Sequence, residues 1–179
     1  MKWLSLALLL VGCGPSQSFN INGYNLPVRD QLFLTRPGGY FCTGFAPDQL
    51  QFQLSDYAPA CSRDPGFDTS YDESKDHTRM DIVVALSANP GYAQGTHMPF
   101  TFDNTADCTT GGADALATLY HYPAGPAGGV PDATVQADSG SIRIFSYNAN
   151  NPNVAATGDF TLSFGGKTIT GTLNALNCD

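Results

Sequence analysis

Thr157-Gly158-Asp159-Phe160-Thr161-Leu162-Ser163-Phe164, then Gly165-Gly166, then Lys167-Thr168-Ile169-Thr170-Gly171-Thr172-Leu173-Asn174-Ala175-Leu176 is the stretch on which the fold is decided. Two runs of alternating character flank a Gly-Gly pair, and a two-residue loop of residues that accept positive φ is the strongest short-range signal for a β-hairpin. A Gly165-Gly166 turn fixes the register: opposed residues sum to 331, so Leu162 faces Ile169, Ala156 faces Ala175 and Phe160 faces Gly171. An aromatic ring across from a glycine is a favourable cross-strand arrangement. Thr161, Ser163, Thr168, Thr170 and Thr172 then share the other, wetter face.

Outward from this hairpin the chain keeps the same grammar. Gln49–Tyr57 places Leu50, Phe52 and Leu54 on one face and Gln51, Gln53 and Ser55 on the other. Arg79–Ser87 sets Met80, Ile82, Val84 and Leu86 on one side, with Val83 and Ala85 opposite, the pattern of a central strand. Further strands are expected at His97–Asp103, Ala115–Tyr122, Ala133–Ala137 and Ser141–Tyr147, with Phe19–Asn22 and Asn25–Leu34 at the start. Glu occurs once (Glu73) among sixteen acids, while Gly, Pro and Thr recur, which is poor helix material and good strand-and-turn material. The Pro123–Pro131 stretch reads as a loop rather than a linker. The expected fold is therefore all-β: an antiparallel β-sandwich of about nine strands, with a closed β-barrel as the alternative.

At the N-terminus, Lys2 precedes an apolar run through Leu4, Leu6, Ala7, Leu8, Leu9, Leu10 and Val11, ending at Gly12-Cys13. A short apolar region closed by small residues is a secretory signal, too short to span a bilayer. Leu9-Leu10-Val11-Gly12-Cys13 resembles the bacterial lipobox, and the resemblance implies acylation of Cys13 and removal of residues 1–12. An ordinary signal peptide with an incidental cysteine, or a buried N-terminal strand, is the competing reading. Residues 13–18 form a short tether and 19–179 a single domain. Five residues before Phe19 reach roughly 20 Å at full extension, so the domain is expected close to its membrane. Gly14, rather than Asp, follows Cys13. By analogy with lipoprotein sorting in enteric bacteria, that implies the outer membrane.

The five cysteines fit this account. If Cys13 carries lipid, Cys42, Cys61, Cys108 and Cys178 remain to form two disulfides. Sequence does not choose among the three pairings. The expectation is Cys61–Cys178 with Cys42–Cys108, because Cys61–Cys178 would pin the C-terminal strand. No two cysteines are close enough in sequence for a zinc motif.

A second resemblance lies in Gly158–Phe164 and Ile169–Ala175 through Cys178, which is similar to the closing hairpin of small, uncharacterised myxobacterial-type lipoproteins. It implies a disulfide-bonded sandwich and brings no catalytic residues with it.

Net charge is -8, and becomes -9 when Lys2 is removed. Such a surface repels nucleic acid and anionic headgroups, so membrane association rests on the lipid. Asp64, Asp68, Asp72 and Asp76 recur every fourth residue, but Pro65-Gly66 makes the segment a loop. A carboxylate-rich loop is a calcium candidate, since Ca²⁺ takes six to eight oxygens, although the spacing is not that of an EF-hand. The competing reading is a solvated acidic loop. Tyr120 and Tyr122 project to one strand face with His121 opposite, as a platform for sugar rings or a partner surface, or else as core residues. The only tryptophan is Trp3, so a mature domain would bind without indole. Asp138-Ser139-Gly140 reads as a turn, since no histidine has the context a serine nucleophile needs. His77, His97 and His121 form no local metal motif.

These observations lead to an expected function as a membrane-anchored envelope lipoprotein, a non-enzymatic binding or structural module contacting an envelope protein or glycan, with no cofactor. A carbohydrate-binding module or glycan hydrolase, and a calcium-stabilised adhesion-type domain, are the alternatives.

Overall fold

The computed structural model describes residues 17–36, 49–57, 74–85, 98–103, 115–125, 130–148 and 155–177. Among them there are eleven strands and no helix: β1 (Gln17–Ile21), β2 (Tyr24–Val28), β3 (Asp30–Arg36), β4 (Gln49–Ser55), β5 (His77–Ala85), β6 (Met98–Asp103), β7 (Ala115–Tyr122), β8 (Ala133–Gln136), β9 (Ser139–Ser146), β10 (Ala156–Phe164) and β11 (Lys167–Asn177). The all-β expectation is borne out. Cys13, Cys42, Cys61, Cys108, Cys178, Asp64, Asp68 and Asp72 lie outside the described residues, as does Leu86.

Nine strands form one sheet in the order β6-β9-β10-β11-β3-β4-β5-β7-β8, and β1-β2 form a separate pair. Every pairing is antiparallel except β11 with β3, which run parallel at Leu176↔Leu32 and Asn177↔Phe33. The sheet is therefore mixed, a correction to the purely antiparallel expectation. Its two halves face one another across the main core, while Leu32 and Leu34 form a small second cluster. Phe160, Leu162 and Ile142 from one side join Phe33, Phe52 and Ile82 from the other. The curl also brings β6 against β7. Sandwich and barrel thus merge, because the facing layers belong to one curled sheet.

The final hairpin has the expected register throughout, with Ala156↔Ala175, Phe160↔Gly171 and Leu162↔Ile169. Gly165 and Gly166 have φ of 57° and 81°, the left-handed values of a tight hairpin turn. One alternating face is buried, and Thr161, Thr168, Thr170 and Thr172 on the other are exposed.

The start of the chain corrects the reading of Asn25–Leu34 as one strand. It is two, broken at Arg29, whose N–H donates to the Ser55 carbonyl at 2.8 Å. Asn22 (φ 51°) and Gly23 (φ 92°) make a second two-residue turn joining β1 to β2. This hairpin lies along β11 where β3 does not. Gln17 Nε2 donates to Thr172 O, and Thr172 N donates to Gln17 Oε1, each at 2.7 Å. Asn174 N donates to Gln31 Oε1 at 3.0 Å. Glutamine side chains thus replace a neighbouring strand along that edge, satisfying backbone groups that would otherwise be open. On the inner side Phe19, Ile21, Leu26 and Val28 enter the core.

Candidate functional site

Alternation along β4, β5 and β7 points every second side chain away from the core, and the registers set them in rows. Ser55 stands beside Arg79, and Arg79 beside Tyr120. Gln53 pairs with Asp81, which pairs with Thr118, and His77 pairs with Tyr122. This face is polar yet covered: Gln53 and Ser55 are 0% exposed, and Asp81, Thr118, His77 and Tyr122 are buried. Burying so many polar groups is costly unless they satisfy one another.

Arg79 is the centre of that arrangement. Its Nε lies 3.1 Å from Asp81 Oδ1. Its guanidinium stands 4.9 Å from the Tyr120 ring centroid and 5.5 Å from that of Tyr122. The two rings are 6.5 Å apart. The guanidinium also hydrogen-bonds the Tyr57 hydroxyl. Burial alone would lower the Arg79 pKa, but Asp81, Tyr122 and Tyr57 together hold it above the ordinary value. Burial likewise pushes the Tyr57 hydroxyl up to about 12, against the opposing pull of Arg79. Tyr120 is raised by burial and by Asp81.

Gln53 Nε2 donates to Tyr57 Oη at 3.3 Å, leaving Gln53 Oε1 buried without a donor.

At the rim of this layer, His77 Nδ1 lies 3.1 Å from Asp56 Oδ1, and Thr78 N donates to Asp56 Oδ2 at 2.9 Å. The Tyr57 and His77 rings meet edge-on at 5.3 Å. A second His–Asp pair lies on the opposite face of β7, where His121 Nδ1 is 2.7 Å from Asp132 Oδ1 and Tyr24 stacks at 4.8 Å. Both histidines therefore tie neighbouring segments together.

The residues singled out from sequence separate in three dimensions. Tyr120 and Tyr122 share a face, as expected, with His121 opposite. Tyr122 is buried and Arg79 occupies the space beside both rings, so only half-buried Tyr120 retains surface. Asp76 is exposed, and its Oδ1 accepts from Ala124 N at 2.8 Å, bracing the chain just after β7. Of Asp138-Ser139-Gly140, read from sequence as a turn, only Asp138 precedes β9; Ser139 and Gly140 are the first residues of that strand, paired with Ser163 and Leu162. Asp138 N donates to Ser163 O at 2.7 Å, and its carboxylate accepts from Gly165 N at the tip of the final hairpin. Among the described residues no three of His, Cys, Asp and Glu gather closely enough to hold a metal ion.

Sequence reasoning missed Arg79 and Tyr57. Arg79 and Asp81, two apart on one strand, carried a signal, but its meaning needed the β5–β7 register that sets Tyr120 beside Arg79. Compared with protein-family models, curated proteins and solved structures, the chain matches none.

Proposed function

We propose that the protein is a bacterial envelope lipoprotein, anchored through acylated Cys13 at the outer membrane, whose β-domain is a non-enzymatic binding or structural module for an envelope component. Gln17 carries this reading. It begins β1 only four positions after Cys13, and its side chain is bonded twice to Thr172. A lipobox cysteine so close to a residue fixed in the fold suits a domain held tightly at a membrane. The Arg79 layer adds support, because its charged and phenolic groups are engaged with one another beneath the surface, as in a rigid scaffold.

Mass spectrometry of protein purified from native membranes, intact and as peptides, with and without reduction, tests the reading. A lipid-modified N-terminal Cys13 and two disulfides among Cys42, Cys61, Cys108 and Cys178 are expected. Unmodified Cys13 or free thiols would sink it. Reproducible hydrolase turnover, lost on replacing one acidic residue, would overturn its non-enzymatic part.

A further inference from the structure

On the outer face of β9, β10 and β11 lies an open groove of about 560 Å³, lined chiefly by Gln17, Arg143, Asp159, Thr161, Thr170 and Thr172. Its volume falls within the range of small-ligand sites. Cross-strand register builds it: Arg143 faces Asp159, Asp159 faces Thr172, and Thr161 faces Thr170. Adjacent strands stand about 4.8 Å apart, and alternate residues along one strand about 6.8 Å, so the hydroxyls form a regular two-dimensional array.

Arg143 Nε donates to Asp159 Oδ1 at 3.3 Å and Nη2 donates to Asp159 Oδ2, while the guanidinium stacks 5.0 Å from the Phe145 ring. The pair is held in plane yet remains open, with Arg143 53% and Asp159 36% exposed. Thr161, Thr170 and Thr172 are also exposed.

Three features select a ligand class. Threonine hydroxyls both donate and accept, Arg143 donates and Asp159 accepts, which matches the mixed donor and acceptor edge of a sugar's neighbouring hydroxyls. An anionic group is disfavoured, because Asp159 already neutralises Arg143 and the chain carries net negative charge. Position supplies the third. Gln17 is part of the groove wall, and four residue steps from Cys13 span at most about 14 Å.

We propose that the Gln17–Arg143–Asp159 groove binds the neutral sugar headgroup of a glycolipid in the membrane that carries the anchor. This rests on the anchoring reading above. Bound there, a headgroup orients the β10–β11 face toward the membrane and leaves the Arg79 side of the domain pointing elsewhere.

The experiment uses the full mature protein purified from its membrane and reconstituted through its lipid. Vesicles of phosphatidylcholine alone are compared with phosphatidylcholine containing monogalactosyl diacylglycerol, and with phosphatidylcholine containing phosphatidylglycerol. Hydrogen exchange over residues 157–176 is expected to slow several-fold only with the galactolipid. The double variant Thr161→Val, Thr170→Val removes two hydroxyls without changing side-chain shape, and should abolish that slowing while melting as the parent does in phosphatidylcholine. Equal exchange in all three vesicles, slowing by phosphatidylglycerol as well, or slowing that survives the double variant would overturn the proposal. Failure of the anchoring reading is seen separately, as an unmodified Cys13 by mass spectrometry. The same chain is then floated with each vesicle type, and galactolipid-selective flotation still supports the groove whereas unselective or absent flotation overturns it.

Discussion

Gly171 leaves the space into which the ring of Phe160 fits. A Cβ at Gly171 would collide with that ring, and would also lie 2.6 Å from Gln17 Oε1 and 2.8 Å from the Phe19 ring. Phe19 and Phe160 meet at 5.7 Å. One absent side chain therefore lets the final hairpin and the β1–β2 hairpin pack together.

Gly171→Ala is expected to destabilise the domain by about 1–3 kcal/mol through overpacking. Gly166→Ala is the control, since its φ of 81° is strained for alanine but open space surrounds it. Its cost should stay near 1–2 kcal/mol, from the backbone alone. Denaturant unfolding of both variants checks the pair, and exchange at β1 amides should rise only in Gly171→Ala.

Removing Arg79 takes from buried Asp81 the positive charge 3.1 Å away. Arg79→Ala should cost about 3–5 kcal/mol, the usual penalty for leaving one member of a buried pair uncompensated. Arg79→Lys keeps the charge but not the planar group beside Tyr120 and Tyr122, and should recover only part of the loss. Thermal and urea melts of the two variants measure the difference.

Tyr57 makes stability fall at high pH. Its folded pKa is about 12, above the value near 10 expected in the unfolded chain, so the folded state holds a proton that the unfolded state releases. That contribution is fully present below pH ~10 and is lost as pH climbs toward ~12, by about 3 kcal/mol in all. Tyr120, raised in the same direction, adds to the slope. Tyr57→Phe should flatten most of this decline when unfolding free energy is followed from pH 9 to 12.

The Gln17 side chain stands in for a strand, so Gln17→Ala should free both the N–H and the C=O of Thr172. About 1–2 kcal/mol of stability should be lost. Exchange of the Thr172 amide should quicken far more than that of Leu173, whose neighbouring pairs lie within the β10–β11 ladder. Amide-resolved exchange distinguishes this from general loosening.

Local chemistry was enough for the last hairpin. Period-two alternation and Gly165-Gly166 act over a few residues, so register, buried face and turn geometry all follow from the sequence. At the start of the chain, Asn25–Leu34 read as one continuous run hid the break at Arg29. Alternation along Gln49–Ser55 and around Arg79 also assigned side chains to faces correctly. What alternation does not carry is what lies over a face. Gln51, Gln53 and Ser55 look like a wet surface in sequence, yet they are buried, because burial depends on segments distant along the chain. The same limit hid the Arg79 site, whose partners come from β4, β5, β7 and Tyr57, two residues beyond β4. The parallel junction of β11 with β3 joins residues some 140 positions apart and has no local signature. Sequence by itself determined the strands and their faces, since those follow from nearest-neighbour geometry. Tertiary structure alone decided which faces meet, because long-range packing brings together polar groups that must satisfy one another once water is gone.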